Sequence, residues 1–291
     1  MIVVLLTALT LVAFAANSLL CRMALGGELI DPMSFTALRL VSGALALAPI
    51  SRWVAESKTP HQTTRSWGSG FALFAYAAAF SLAYVSLTTG TGALILFGAV
   101  QVTMICAALY SGERLGPVQS LGSLAAVVGL VYLVLPGISA PDPVGALLMC
   151  VAGIAWGVYS IRGKGVPAPV TMTAVNFRRS TPWALAASAV ALSSLHLKPA
   201  GVLLALTSGV ITSGLGYVLW YKALAHLTTT QASVVQLLVP VLAAFGGVAL
   251  LSEQVTLRLV SASALILGGV ALAVLKRKPR SVAVPAEETG V

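Results

Sequence analysis

Apolar residues run along this chain in blocks long enough, or nearly so, to cross a bilayer as helices, which takes about 20 residues. Ten blocks stand out: Ile2–Cys21, Pro32–Ile50, Trp67–Leu87, Gly92–Tyr110, Pro117–Leu135, Val144–Ile161, Val170–Leu195, Pro199–Ala223, Gln231–Leu251 and Thr256–Leu275. None shows the polar-in, apolar-out alternation of a membrane barrel, so helices are the spanning structure expected. The breaks carry turn chemistry: Gly26-Gly27, Thr88-Thr89-Gly90, Pro136-Gly137, and Pro141 with Pro143. The first block lacks a basic leader and a clear cleavage site, and reads as a spanning helix rather than a signal peptide. The pattern predicts an all-α polytopic membrane protein with ten transmembrane helices.

Composition agrees. Of 291 residues, 58% are hydrophobic and 9% charged, against about 45–50% and about 25% in soluble domains. A soluble enzyme, a disordered chain and a disulfide scaffold are all excluded by that balance. The formal charge is +9, which in a soluble protein would suggest nucleic acid. Here the bases sit mostly in short loops. With the N-terminus inside, Arg52, Lys58, Arg65, Arg114, Arg162, Lys164, Lys222, Lys276, Arg277, Lys278 and Arg280 fall on the cytoplasmic side, and only Arg22, Lys198 and Arg258 outside. That bias predicts both termini in the cytoplasm, in a bacterial-type inner membrane, with residues 279–291 as a tail. Cys21, Cys106 and Cys150 have no metal-ligand spacing and read as free thiols in the membrane.

An internal repeat organises the ten blocks. At an offset of 140 residues, Arg22 falls on Arg162, Arg39 on Arg179, Ala44-Leu45-Ala46 on Ala184-Leu185-Ala186, and Leu87-Thr88-Thr89 on Leu227-Thr228-Thr229. Glu113 falls on Glu253, Ser123 on Ser263, and Gly129 on Gly269. The units are residues 1–140 and 141–278, each with five predicted helices. An odd number leaves the membrane on the side opposite its entry, so the second copy is inserted upside down. A 5+5 inverted-topology repeat is a transporter architecture, with the cargo site near the midplane.

Each half resembles an EamA repeat of the drug/metabolite transporter superfamily. The carrying segments are Ala15-Ala16-Asn17-Ser18, Ala37-Leu38-Arg39 and the junction Ser111-Gly112-Glu113-Arg114-Leu115, with a looser counterpart in Leu251-Ser252-Glu253-Gln254-Val255. Length and aromatic pattern are most similar to YddG-type exporters of aromatic amino acids and related metabolites. The resemblance implies export from the cytoplasm and no organic cofactor. It also implies a cavity lined by helices 1, 3, 4, 6, 8 and 9, with 5 and 10 peripheral. Two departures stand out. An early Trp-Gly is Phe14-Ala15 in the first half but Trp156-Gly157 in the second, and a mid-helix Pro is Val100 in the first half but Pro240 in the second.

The acids stay out of the helix interiors: Glu28, Asp31, Glu56, Asp142, Glu287 and Glu288 lie in loops or the tail. Glu113 and Glu253 lie just before helices 5 and 10, where an anion meets the helix dipole. That reading is preferred to a coupling carboxylate. Without a buried relay acid, facilitated diffusion or exchange is expected rather than proton coupling. Arg39 and Arg179 lie inside helices. Each either serves one entrance, by anchoring helix ends or attracting a carboxylate, or snorkels or bonds carbonyls structurally.

The remaining candidates concern cargo. Tyr76 and Phe80 share one helix face at i,i+4. Phe80 maps onto Trp220 by the repeat, and Phe97 and Trp156 complete an aromatic set, with Tyr84, Tyr159 and Tyr217 as second choices. Packing against helices or lipid is the alternative for each. Asn17 and Gln236, besides Gln101, are taken as the carboxamides deep in apolar stretches, as cavity groups or interhelical bonds. The chain holds no HExxH, GxSxG, GxxxxGK[ST] or Cys/His cluster. The expectation is therefore a monomeric carrier, binding no metal or nucleic acid, that moves small amphipathic metabolites, aromatic amino acids first, by alternating access. A multidrug exporter and an integral membrane enzyme are the alternatives.

Overall fold

The structure, a computed structural model, describes residues 2–53, 66–110, 112, 116–137, 139–163, 168–224, 226–227 and 235–275. Glu113, Arg114, Lys58, Arg65, Lys164, Thr228, Thr229, the start of the ninth block and the tail lie outside them. Among the described residues the helices are α1 Ile2–Gly26, α2 Pro32–Trp53, α3 Ser66–Ala83, α4 Thr89–Tyr110, α5 Pro117–Val134, α6 Pro143–Gly163 and α7 Pro169–Val190. They continue with α8, one rod through Pro199–Thr207, Ser208–Leu215 and Gly216–Leu224, then α9 Leu238–Leu251 and α10 Leu257–Leu275. The middle segment of α8 is a π-helix.

Six of these are long and apolar enough to cross a membrane: Ile2–Gly26, Pro32–Trp53, Thr89–Ala107, Pro117–Val134, Pro143–Gly163 and Pro199–Ala223. Trp67–Ala83, Leu238–Leu251 and Leu257–Ala273 are shorter apolar helices. At 22 residues, α7 is long enough, but Asn176, Arg178 and Arg179 at its middle lower its apolar character.

Local sequence sets the helix starts. α2, α5, α6, α7 and α8 all begin on Pro, whose missing N–H is no loss in the first turn. Before two of them stands an Asp cap: Asp31 Oδ1 accepts from Ser34 N at 2.9 Å, and Asp142 Oδ2 from Gly145 N at 2.6 Å. Pro240 lies in the first turn of the regular α9 rather than midway along a spanning helix. A residue without an N–H fits best where no intrahelical bond is due.

Helix contacts come in sets that exchange the halves. α3 packs on α6 as α1 does on α8; α4 on α6 as α1 on α9; α3 on α7 as α2 on α8. α2 with α7, α4 with α9 and α5 with α10 are each a helix with its own counterpart. Directions follow from the close approaches. Gly122 meets Gly269 and Ala273 while Gly129 meets Leu265 and Ile266, so α5 and α10 run antiparallel. Gly68 meets Arg162, and Tyr76 stacks on Trp156, so α3 and α6 are antiparallel too. Gly153 meets Leu96 and Ala99, and Gly157 meets Thr103, so α4 and α6 are parallel. Much of the outer surface is apolar, including Leu121, Leu124, Val144, Leu147, Leu203 and Phe245, as a lipid-facing surface requires.

Candidate functional site

Where α1, α3, α4, α6 and α8 converge, aromatic rings enclose a small cavity lined by Phe14, Asn17, Ser18, Tyr76, Phe80, Leu96, Phe97, Trp156 and Tyr217. On α6, Gly153 and Gly157 let α4 come close, and Trp156 turns to the centre. The Trp156 ring lies 4.9 Å from Tyr76, 5.0 Å from Tyr217, 5.4 Å from Tyr159 and 6.2 Å from Phe14. On α3, Tyr76 and Phe80 stack at 5.3 Å, and Phe80 meets Tyr84 at 4.7 Å. The centre of a water can occupy about 20 Å³ here, room for about one molecule. The rings are therefore closed on one another in this conformation.

The structure brings together five of the candidates, Asn17, Tyr76, Phe80, Phe97 and Trp156, around this cavity. Two lie apart. Trp220 is buried against Phe14, ring to ring at 5.8 Å, and does not line the cavity. Gln236 sits half-buried in the short helical stretch just before α9, also outside the lining. Sequence reasoning passed over Phe14, Ser18 and Leu96 and ranked Tyr217 second. It also overlooked Asn176, a buried carboxamide of α7 whose Nδ2 donates to Tyr159 Oη at 3.4 Å.

A polar chain runs beside the rings. Asn17 Oδ1 accepts from Ser208 Oγ at 2.7 Å and Thr212 Oγ1 at 3.1 Å, and its Nδ2 donates to Tyr76 Oη at 3.4 Å. Arg39 Nη2 donates to the same Tyr76 oxygen at 3.1 Å, and Arg39 Nε to Ser213 Oγ at 2.9 Å. Ser208, Thr212 and Ser213 all come from the π-helical stretch of α8, a distortion often found at functional sites. Gly209 in that stretch is pressed against the Arg39 carbonyl and the Ser42 hydroxyl, so a side chain there has no space.

The two repeat-related arginines differ. Arg39 is 1% exposed, with its guanidinium 5.2 Å from the ring centroids of both Tyr76 and Phe80. It neither snorkels nor bonds carbonyls; its partners are hydroxyls and ring faces. Arg179 is half-buried, with its guanidinium 5.1 Å over Trp67, itself 53% exposed.

At one end of the bundle, Arg22 ties four elements. Its Nε reaches Glu253 Oε1 at 3.3 Å, and its Nη1 donates to the Tyr84 and Val85 carbonyls at 3.1 and 2.9 Å. The Glu253 carboxylate accepts from Thr89 N at 2.8 and 3.0 Å. The acid thus meets a helix N-terminus as expected, but that of α4, not of the α10 that follows it. Ser252 turns the chain for this with φ +53, and its repeat mate Gly112 has φ +80. Glu113 lies outside the described residues. Arg162, the mate of Arg22, donates from Nε to Ser69 Oγ at 3.1 Å.

Comparison with known proteins agrees with the architecture. The chain is 51% identical over 281 residues to an uncharacterized protein of Pseudomonas aeruginosa, covering 95% of this chain and 96% of that one. A protein of Salmonella typhimurium named as a probable amino-acid metabolite efflux pump is 24% identical over 267 residues, covering 87% and 88%. A crystal structure superposes with a TM-score of 0.62 at 22% identity, over 92% of this chain and 98% of that one, a likeness of fold. The EamA-like transporter family matches twice, over residues 1–135 and 143–275. With both halves of the chain accounted for, the protein belongs to the EamA-like transporter family.

Proposed function

We propose that the chain exports small amphipathic metabolites, aromatic amino acids first, by alternating access between two inverted five-helix halves. The observation that carries this reading is the cavity of aromatic rings at the junction of the halves. An amphipathic cargo with a ring would replace the ring-to-ring contacts that now close it. The amino-acid class is supported by the name of the Salmonella typhimurium relative. Asn17, Tyr76, Phe80, Phe97 and Trp156 are the cargo-facing residues in this reading. Trp220 supports the cavity from behind through Phe14, and Gln236 lies outside its lining.

The antiparallel α5–α10 and α3–α6 pairs, with the parallel α4–α6 pair, support an inverted second half. In that arrangement all ten helices span, the shorter ones with the loops that flank them, and both termini are cytoplasmic. Rocking one half against the other would open the cavity to either side in turn. The Arg22–Glu253 tie closes the end opposite the termini in this conformation. Among the described helix interiors there is no Asp or Glu, which favours facilitated diffusion or exchange over proton coupling. The protein works as a monomer in the inner membrane, without a cofactor.

Purified protein in proteoliposomes tests the reading. Labelled phenylalanine or tryptophan should cross faster than in empty vesicles, should be chased by unlabelled amino acid, and should survive collapse of a proton gradient. Efflux of lipophilic cations with no amino-acid flux would replace this reading with drug export. Topology is tested in a Cys-less background: an impermeant thiol reagent should label Gln254→Cys from outside and Arg114→Cys only from inside.

A further inference from the structure

The polar side of the cavity carries a buried cation, Arg39, and no anion among the described residues. Asn17 Oδ1 already accepts two hydroxyls. Ser213 Oγ already accepts Arg39 Nε. Tyr76 Oη accepts from both Arg39 and Asn17, so its own proton is free to donate elsewhere. One further donor, Arg39 Nη1, is buried without a partner, and the Tyr217 hydroxyl faces that of Tyr76. The charge is uncompensated as well, since among the described residues the ion pair is Arg22 with Glu253, and no carboxylate reaches Arg39. A buried guanidinium without an anion is costly, and a carboxylate is its best-matched planar partner.

Position completes the case. Tyr76 and Phe80 present their rings both to the cavity and to the Arg39 guanidinium. Tyr217 lines the same cavity, 5.0 Å from Trp156. A cargo that parts these rings meets Arg39 Nη1 and the two tyrosine hydroxyls together. The counterpart Arg179 has no such setting, because it lies half-exposed over Trp67.

We propose that Arg39, with the hydroxyls of Tyr76 and Tyr217, forms a carboxylate subsite that selects cargo bearing a carboxylate next to its aromatic or apolar body. This rests on the proposed export function and narrows it. The amino group of an amino acid is not the group selected: the buried Arg39 guanidinium repels an ammonium, which would face ring surfaces instead.

The test uses the full chain in detergent and in proteoliposomes with three probes that share one ring: phenylalanine, 3-phenylpropionate and phenethylamine. Phenylalanine and 3-phenylpropionate should bind and compete with each other, and phenethylamine should bind at least tenfold more weakly. Arg39→Gln should weaken phenylalanine at least tenfold and erase its advantage over phenethylamine, while Arg39→Lys restores part of it. If Arg39→Gln does not fold, Tyr217→Phe keeps the ring, removes one donor and should cut the advantage severalfold. Equal binding of phenylalanine and phenethylamine to the unaltered protein overturns the subsite while leaving the export reading intact. So does a preference for phenylalanine that survives both Arg39→Gln and Tyr217→Phe. Failure of all three probes to bind overturns the aromatic amino-acid reading and the subsite with it.

Discussion

Arg39 and Arg179 fall on one another at the 140-residue offset, and each has a glycine of a neighbouring helix against its backbone, the two glycines standing one residue out of register. Gly209 of α8 lies against the backbone of Arg39, and Gly70 of α3 lies 3.2 Å, at its would-be Cβ, from the carbonyl carbon of Arg179. The side chains have parted. Arg39 is enclosed by Ser213, Tyr76 and Phe80, while Arg179 reaches outward to Trp67. Duplication preserved the crossings that pack helices, because small residues there admit only one spacing. The chemistry at the crossings was free to diverge, and one half kept its charge at the centre.

That contrast can be broken experimentally. The largest effect belongs to Gly209→Val. Its side chain would strike the Arg39 carbonyl and the Ser42 hydroxyl, at a cost of about 3 kcal/mol or more. Size-exclusion profiles in mild detergent should show little folded protein. Gly70→Ala should be tolerated better, since its tightest neighbour is the Arg179 Cβ at 2.9 Å. Equal losses would mean that the two crossings are under the same constraint.

Next comes the arginine pair itself. Hydrogen bonds to charged groups contribute about 1.5–3 kcal/mol, so initial transport rates should fall roughly 10- to 100-fold in Arg39→Gln. In Arg179→Gln they should fall by less than about threefold, because Arg179 lies half-exposed over Trp67 and outside the cavity lining. Reversal of that order would refute a central role for Arg39. A smaller effect separates the tryptophans. Trp156→Leu should weaken phenylalanine binding about fivefold, about 1 kcal/mol of aromatic contact. Trp220→Leu, one ring removed from the cavity, should stay within about twofold by calorimetry.

The smallest is Glu253→Gln. It removes the charge facing Arg22 but keeps an acceptor for Thr89 N. A partly exposed pair contributes about 1 kcal/mol or less, so thermal unfolding should shift by only a few degrees. A drop as large as that of Gly209→Val would move the weight of the fold from the centre to the ends.

The helices and the duplication were legible in the sequence for simple reasons. A bilayer demands long apolar runs, and the α5–α10 crossing keeps Gly129 and Gly269 in register at an offset of 140. Tyr76 and Phe80 were legible because i,i+4 residues share a face. Trp220 was not, although it matches Phe80 by the offset. The π-helical stretch Ser208–Leu215 lies between the start of α8 and Trp220. An added residue rotates the remainder of the helix by about 100°, and Tyr217 faces the cavity instead. Phe14 was missed because a helix in lipid is apolar all round, so no contrast in hydrophobicity marks its inner face. The polar roles of Ser208, Thr212 and Ser213 were hidden for the same reason, since such residues serve equally as interhelical bonds.

The antiparallel contact of α5 with α10 has a consequence for biogenesis. Gly122 and Gly269 touch backbone to backbone, yet α10 follows α5 only after four intervening helices of the chain. Until it is inserted, α5 has no partner along that groove, and the first half waits in the bilayer with a small-residue face turned to lipid. Closure of the bundle therefore waits for α10. A chain truncated before Leu257 would insert and still remain unassembled, a natural substrate for membrane quality control.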